Sequence, residues 1–197
     1  VDEKFNLNNL KKYISSKDYS FLLDILKNSD LSKKILEFKI TSKRTIILIS
    51  IKKKIKNSEV ENLGAKFYNY IKERKNQNYS INADTLSNDS KNIIGYFLHG
   101  LKLKSYTFEK YKTKKDKNLF LIEVCGKQVQ YRQNRNNFEA LESGTFFTRD
   151  LVSEPGNILH PDEYAKRIKS LKKIGLKINV YDEKKLKKLG MNALLGV

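Results

Sequence analysis

The sequence predicts an α/β protein with a largely parallel or mixed sheet, because strand patterns and helical patterns alternate along the chain. The clearest strand covers residues 45–51, where TIILISI is a continuous β-branched run typical of a strand buried on both faces. A helical pattern follows over residues 58–73, with an apolar residue every three or four positions. The same succession recurs as a buried strand over 119–125 and a long helix over 131–153.

The other elements of the first 130 residues follow from the same two periodicities. They are a helix over 5–28 interrupted at Ser15 and Ser16, a strand over 34–40, a strand over 79–86 and a helix over 87–101. Ser58 followed by Glu61 has the spacing of a capping box, which satisfies N–H groups of the first turn. Asn88 or Asp89 is the predicted cap of the later helix.

The stretch from residue 144 to 161 is a joint between two helices. Pro155 and Gly156 stop the long helix, since proline has no N–H and disfavours helical backbone at the residue before it. Pro161 then opens a new helix, with acidic residues in its first turn as the helix dipole prefers. This helix ends at Gly175, a strand covers 176–181, and a short helix runs from an Asp182 cap to a Gly190 stop.

Composition restricts the class of protein. The chain of 197 residues is 39% hydrophobic, enough for a core, and no apolar run approaches the roughly 20 residues of a membrane span. No N-terminal stretch has the layout of a signal peptide. Cys125 is the only cysteine, which excludes an intrachain disulfide. Because it follows an apolar run, it is predicted to be a small core residue. A cytoplasmic protein is the simplest interpretation. Because Val1 is not a start methionine and no closing signal follows Gly196, we expect a fragment of a longer protein.

The net charge of +18 has two interpretations. One is a surface that binds phosphate, as in nucleic-acid-binding proteins. The other is a coding bias that loads every solvated face with lysine. Lysine is spread through the whole chain while arginine occurs at six positions, which favours the bias over base-specific DNA recognition. Aromatic residues interleaved with lysines over 106–117 can grip single strands, but a turn with packed aromatics and solvated lysines is the favoured interpretation.

The sequence contains no recognisable catalytic constellation. It lacks a His-Glu-x-x-His motif, paired cysteines, a Walker glycine loop and a Gly-x-Ser-x-Gly elbow. His99 and His160 are predicted to be packed, surface or structural histidines rather than ligands. Asp150 and Glu154 are expected to be solvated or paired with Arg149. We therefore predict no catalytic, cofactor-binding or metal-ligating residue in this span.

Three strings carry a family resemblance. TRDLVSEPGNILHPDEYAKRIKSL (148–171) is similar to the interdomain segment of the leucyl aminopeptidases, the cytosol aminopeptidase family. LKLKSYTFEKYKTKK (101–115) and VYDEKKLKKLGMNALLGV (180–197) resemble two further strings of that family, the second lying just before its first metal-ligand motif. The resemblance extends from about residue 59 onward. At the end of the strand at 45–51, Ser50, Ile51 and Lys52 replace the family's Gly-Leu-Gly turn.

The resemblance implies a domain plan. Residues 1–130 are expected to form a macro-domain-like N-terminal domain, with a mixed sheet flanked by helices and incomplete at its start. Residues 131–155 would be a long linker helix, and 156–197 the first α/β elements of a truncated, zinc-peptidase-like catalytic domain.

The resemblance also implies an activity, that of a cytoplasmic enzyme which removes N-terminal residues from peptides with two divalent metals, manganese or zinc. The family's metal ligands would follow Val197, so this fragment alone is expected to be inactive. A homo-hexamer and non-specific DNA binding are further implications. The alternatives are a basic nucleic-acid-binding α/β module and a macro-type nucleotide-binding domain, the latter disfavoured by the missing glycine turn.

Overall fold

The computed structural model describes residues 1–74, 78–86, 92–114, 121–126 and 131–196. It is a mixed α/β structure that divides into two compact units, Val1–Phe146 and Phe147–Val197. Within the described residues, no helix combines the length and apolar character needed to cross a membrane. The helices are α1 (Ser16–Lys27), α2 (Asn57–Ile71), α3 (Ile93–Lys104), α4 (Tyr131–Ser153), α5 (Pro161–Ser170) and α6 (Glu183–Lys188). The strands are β1 (Ile35–Lys39), β2 (Thr45–Ile49), β3 (Asn78–Asn82) and β4 (Leu121–Cys125).

The strands of the first unit form two small sheets. β1 and β2 pair antiparallel, with Glu37 opposite Ile47, and β3 and β4 pair parallel, with Ser80 opposite Glu123. The described strands thus include both parallel and antiparallel pairs, as the prediction of a mixed sheet requires, but they lie in two separate pairs. A parallel pair needs a long crossover, and here α3 lies in the connection between β3 and β4.

The β1–β2 hairpin has a core on each face. Leu36, Phe38 and Leu48 pack with Leu22 and Leu26 of α1. On the opposite face, a second core contains the buried apolar side chains of α2 and α3, with Ile35, Ile47 and Ile49 packed against it. The prediction that the strand at 45–51 carries apolar contacts on both faces is therefore confirmed, although within β2 only Leu48 is fully buried.

Helices α2 and α3 pack closely against each other in the first unit. Val60, Leu63, Phe67 and Ile71 form the buried stripe of α2, as its periodicity predicts. Glycines occupy the contact: a Cβ on Gly100 would lie 2.6 Å from Glu61 Cα, and a Cβ on Gly64 would lie 2.9 Å from Phe97 C. The two backbones approach so closely that a side chain larger than hydrogen does not fit at either position.

Several local predictions for the first unit are wrong. α2 begins at Asn57, and Glu59 Oε2 accepts a hydrogen bond of 3.0 Å from Lys56 N, so the cap lies two residues before the predicted Ser58–Glu61 pair. The predicted strand at 79–86 ends at Asn82, because the Asn82 side chain accepts from Asp84 N and starts a 3-10 turn. The predicted caps of α3, Asn88 and Asp89, lie outside the described residues.

The strand β4 is less buried than predicted. Ile122 and Val124 are half-buried on one face, whereas Leu121 is 65% exposed. Cys125 is also exposed, so its prediction as a core residue is wrong. β4 pairs with β3 but carries its apolar packing on one side only, and an apolar string of residues alone does not reveal whether a second layer covers the strand.

In the second unit, the helices begin and end close to the predicted residues. Pro161 opens α5, Asp182 Oδ1 accepts a hydrogen bond of 2.8 Å from Lys185 N at the start of α6, and Gly175 and Gly190 have the positive φ angles of helix-ending glycines. The predicted strand at 176–181 is wrong as a strand within this structure, because these residues pair with no other strand among those described.

Candidate functional site

Two buried polar clusters stand out once the fold is known, one in each unit. In the first unit His99 and Glu142 meet, and in the second Glu154 meets Arg167. Each pair joins one residue considered in the sequence analysis, His99 or Glu154, to one that was not, and His99 and Glu154 are the buried polar residues among those described.

The His99–Glu142 pair lies between α3 and α4. Glu142 Oε1 is 3.0 Å from His99 Nδ1, and the side chains are only 15% and 8% exposed. The Phe138 ring covers the imidazole with a centroid separation of 5.1 Å, and Gly95 makes room for it, since a Cβ there would lie 2.6 Å from Phe138 Cε2. Because a carboxylate oxygen can only accept, this contact places an N–H of the imidazole at Nδ1.

An open cavity of about 1020 Å³ adjoins this pair. Besides His99 and Glu142, it is lined by an apolar group from α3, β4 and α4 and by charged residues of both signs. The apolar lining includes Leu98, Leu101, Leu121, Ile122 and Phe138, and the charged lining includes Lys72, Glu73, Lys102, Lys104, Arg135 and Glu139. Arg135 Nε is already bonded to Glu139 Oε1 at 2.7 Å, so the wall has no concentrated charge of one sign to recognise an ionic ligand.

The chemistry available to the described residues is limited. A His–carboxylate pair can accept or hold a proton, but nucleophilic catalysis also needs a serine, threonine or cysteine within hydrogen-bond reach of the imidazole. Within the described ranges, the hydrogen-bond partner of the His99 ring is Glu142, and no hydroxyl or thiol is bonded to it. In the described part of the chain, no three His, Cys, Asp or Glu residues lie together as a metal site requires. These residues therefore do not fit a two-metal centre.

The second cluster ties the end of α4 to α5. Arg167 donates from a terminal nitrogen to Glu154 Oε1 at 2.7 Å and from Nε to Glu163 Oε1 at 3.0 Å. The Glu154 side chain is 1% exposed, so the expectation that it is solvated is wrong. The hydrogen bond to Glu154, followed by that to Glu163, raises the pKa of Arg167, and the bond from Arg167 lowers the pKa of Glu163.

The other residues considered in the sequence analysis do not lie together in the structure. His160 is exposed, and its backbone carbonyl accepts from Tyr164 N at 2.9 Å at the start of α5, which agrees with its structural interpretation. Asp150 is exposed on α4. Cys125 Sγ lies 3.3 Å from Ser80 Oγ across the β3–β4 pair.

The aromatic residues of 106–111 contact other rings. Tyr106 lies 5.2 Å from Phe146 and Phe108 lies 5.8 Å from Tyr111, measured between ring centroids. The lysines at 110, 112 and 114 are exposed, and residues 115–117 lie outside the described ranges. Partly packed aromatics beside solvated lysines match the favoured interpretation and do not favour a nucleic-acid site.

A charged network in the first unit was not predicted from the sequence. Tyr70 Oη donates to Glu37 Oε2 at 2.5 Å, and Arg74 pairs with the same oxygen while stacking 4.0 Å above the Tyr70 ring centroid. Burial, then the bond to Glu37, raises the pKa of Tyr70 to about 12. Burial alone would raise the pKa of Glu37, but the hydrogen bonds from Tyr70 and Arg74 outweigh it and lower that pKa.

The network predicts a pH-dependent stability that Tyr70→Phe removes. The pKa of Tyr70 is higher in the folded state than its ordinary value of 10, so its contribution is complete below pH 10 and is lost as pH rises towards 12. We expect the variant to be less stable by about 1.5–3 kcal/mol at neutral pH, the loss of a hydrogen bond to a charged group. Urea denaturation across this range should show the difference from wild type shrinking above pH 10. Tyr164→Phe, at a residue that is 47% exposed, is the control and should cost less stability at neutral pH.

Comparison with known proteins finds similarity to one family over part of the chain. Residues 146–197 match the family model described as the cytosol aminopeptidase family, catalytic domain. A probable cytosol aminopeptidase of Chelativorans sp. (strain BNC1) is 42% identical over 105 residues, which cover 50% of this chain and 21% of that relative. A probable cytosol aminopeptidase of Phytoplasma mali (strain AT) is 40% identical over 123 residues, which cover 58% of this chain and 25% of the relative.

Solved structures agree on the fold. A tomato leucine aminopeptidase mutant superposes with a TM-score of 0.70 at 18% identity, covering 91% of this chain and 39% of that one. The bottromycin maturation enzyme BotP in complex with Mn superposes with a TM-score of 0.64 at 15% identity, covering 90% of this chain and 37% of that one. The chain thus spans well under half the length of the relatives it matches.

Proposed function

We propose that the chain belongs to the cytosol aminopeptidase family and is the N-terminal portion of a cytoplasmic, metal-dependent aminopeptidase. The match of residues 146–197 to the family's catalytic domain carries the proposal. The full-length enzyme would remove N-terminal residues from peptides. The three strings in family order, at 101–115, 148–171 and 180–197, support the same assignment.

We further propose that the domain plan divides the chain into a macro-like N-terminal domain over 1–130, a linker helix over 131–155 and the start of the catalytic domain over 156–197. Helix α4 supports the linker, since it is continuous from Tyr131 to Ser153 and is followed at once by Pro155. The His99–Glu142 contact would fix the first half of this helix to α3.

The metal centre of the proposed enzyme would lie outside these residues. Two divalent ions, manganese or zinc, would bind the substrate amine and polarise the scissile carbonyl when bound. The described residues provide no matching ligand set, so no step of the reaction is assigned to a side chain of this span. Its role in the proposed enzyme is to support the catalytic domain, and the family resemblance suggests assembly as a homo-hexamer. Loose DNA binding through the lysine-rich surface would be a secondary property.

The full-length gene product tests this function. We expect it to hydrolyse leucine 4-nitroanilide, to lose activity in EDTA and to regain it with manganese or zinc. The matched control is N-acetyl-leucine 4-nitroanilide, which lacks the free amine that an aminopeptidase must bind and should remain intact. Absence of hydrolysis with either metal, or equal cleavage of the blocked substrate, would contradict the proposed activity.

A further inference from the structure

The open cavity of about 1020 Å³ beside the His99–Glu142 pair has no part in the proposed metal chemistry. Its lining residues all lie within the first unit. Pockets that hold small molecules have volumes of this order and combine an apolar lining with a few convergent polar groups. Here Leu98, Leu101 and Ile122 are part of the apolar lining, and His99 beside them is 7% exposed. A ligand with apolar side chains would find a surface to cover and polar groups to orient it.

The charges that line the cavity differ between its helices. α3 contributes Lys102 and Lys104, whereas α4 contributes one cation, Arg135, and two carboxylates, Glu139 and Glu142. α2 adds one cation and one carboxylate, which pair with each other at 3.7 Å. In the described part of the chain, the two lysines of α3 have no ion-pair partner. One wall is therefore cationic and the facing wall is net anionic, which suits a ligand that carries one charge of each sign.

Helices α3 and α4 run in the same direction where they form this cavity. Tyr96 and Phe138 pack with ring centroids 5.1 Å apart, and about one turn later in both helices His99 meets Glu142. A residue of α3 is thus level with the residue of α4 whose number is higher by about 43.

Lys102 and Glu139 consequently lie at opposite ends of the groove between the two helices. Lys102 is three residues after His99, and Glu139 is three residues before Glu142, so the backbone positions are offset by six residues. At 1.5 Å per residue, this offset is about 9 Å along the helix axes. An extended chain advances about 3.3–3.6 Å per residue, so a tripeptide spans about 10 Å. The spacing of the opposite charges fits a tripeptide better than a free amino acid.

We propose that this groove binds tripeptides with apolar side chains and free termini. Lys102 would pair with the terminal carboxylate, and the terminal amine would donate to Glu139. The Oε1 atom of Glu139 accepts from Arg135, and its other oxygen has lone pairs for the amine. The choice of a peptide over another zwitterion rests on the proposed function, whereas the charge pattern and its spacing do not.

NMR titration of the 197-residue chain with Leu-Leu-Leu tests the proposal, because this chain is expected not to hydrolyse the peptide. We expect saturable shifts in the amides of 98–102 and 138–142. Leu-Leu-Leu should bind about 5-fold more tightly than its C-terminal amide or its N-acetyl form, a factor equal to the upper value of about 1 kcal/mol for an exposed ion pair. Gly-Gly-Gly, which has the same charges without apolar side chains, should bind weaker by about tenfold or more. No saturable shift at millimolar peptide, or equal affinity for all these peptides, would overturn the proposal.

Two lysine substitutions test the carboxylate contact. Lys102→Ala removes the cation of the groove, and Lys66→Ala, at an exposed position of α2 outside the cavity lining, is the matched control. We expect Lys102→Ala to weaken binding of Leu-Leu-Leu about 5-fold and to leave the amidated peptide unchanged, and Lys66→Ala to change neither. An equal loss for both peptides, or the same effect from both substitutions, would contradict the contact.

Hydrolysis of leucine 4-nitroanilide by the full-length product is measured separately, so that the two proposals fail independently. Binding of Leu-Leu-Leu to the 197-residue chain without hydrolysis by the full-length product overturns the proposed function alone. Hydrolysis by the full-length product without binding to the 197-residue chain overturns the tripeptide site alone.

Discussion

Gly100→Ala is expected to destabilise the first unit by about 3 kcal/mol or more, at the upper end of the usual cost of overpacking. The added Cβ would lie 2.6 Å from Glu61 Cα and closer still to the Glu61 carbonyl group. These atoms belong to the backbone of α2, so no side-chain rotation relieves the contact. The helices would have to separate, and the core formed by Val60, Leu63 and Phe97 would lose its packing.

Urea denaturation followed by circular dichroism measures this loss. Gly144→Ala is the matched control, because the same substitution in α4 meets no atom within 4 Å. There alanine should stabilise the helix by about 0.5–1 kcal/mol, the usual difference in helix propensity. If Gly100→Ala left the midpoint within error of wild type, the close approach of α2 and α3 would be wrong.

Arg167→Leu is expected to destabilise the second unit more than Glu154→Gln does. Removing the arginine takes the counter-charge from a carboxylate whose side chain is 1% exposed. Removing the charge of Glu154 instead leaves an arginine that is 22% exposed and can reach water. We expect Glu154→Gln to cost about 1.5–3 kcal/mol, the range for a hydrogen bond to a charged group. The asymmetry arises because a buried carboxylate that loses its arginine costs more than the ion pair contributes.

Hydrogen exchange of α5 amides gives a local measurement of this cluster. Glu163→Gln serves as the control, since Glu163 is 27% exposed and lies one turn from Arg167 on the same helix. Its effect should be the smallest of the three substitutions. A larger effect of Glu154→Gln than of Arg167→Leu would show that the burial of the Glu154 carboxylate does not determine the stability of this joint.

The sequence predicted most elements whose causes are local. The stripe of α2, the end of α4 before Pro155 and the Asp182 cap depend on residues within one or two turns, and the structure has them within a few residues of the predicted positions. Capping is less certain because neighbouring residues compete, as Lys56 and Glu59 do with Ser58.

The buried pairs could not be predicted in the same way. His99 and Glu142 are 43 residues apart, and no pattern in the sequence between them indicates that they meet. Glu154 and Arg167 are 13 residues apart on opposite sides of a proline joint, so their contact depends on the angle of that joint. The roles of Gly64 and Gly100 could not be predicted either. The sequence predicts two helices there, but it does not indicate that their backbones are in contact.

We propose that the reactive metal centre of the full-length enzyme lies outside this span. Manganese binding and leucine 4-nitroanilide hydrolysis by the purified 197-residue chain test it most directly. We predict no stoichiometric manganese binding in calorimetry and no hydrolysis above the rate of buffer with the metal. Binding of one or two manganese ions per chain together with hydrolysis that EDTA abolishes would contradict the account.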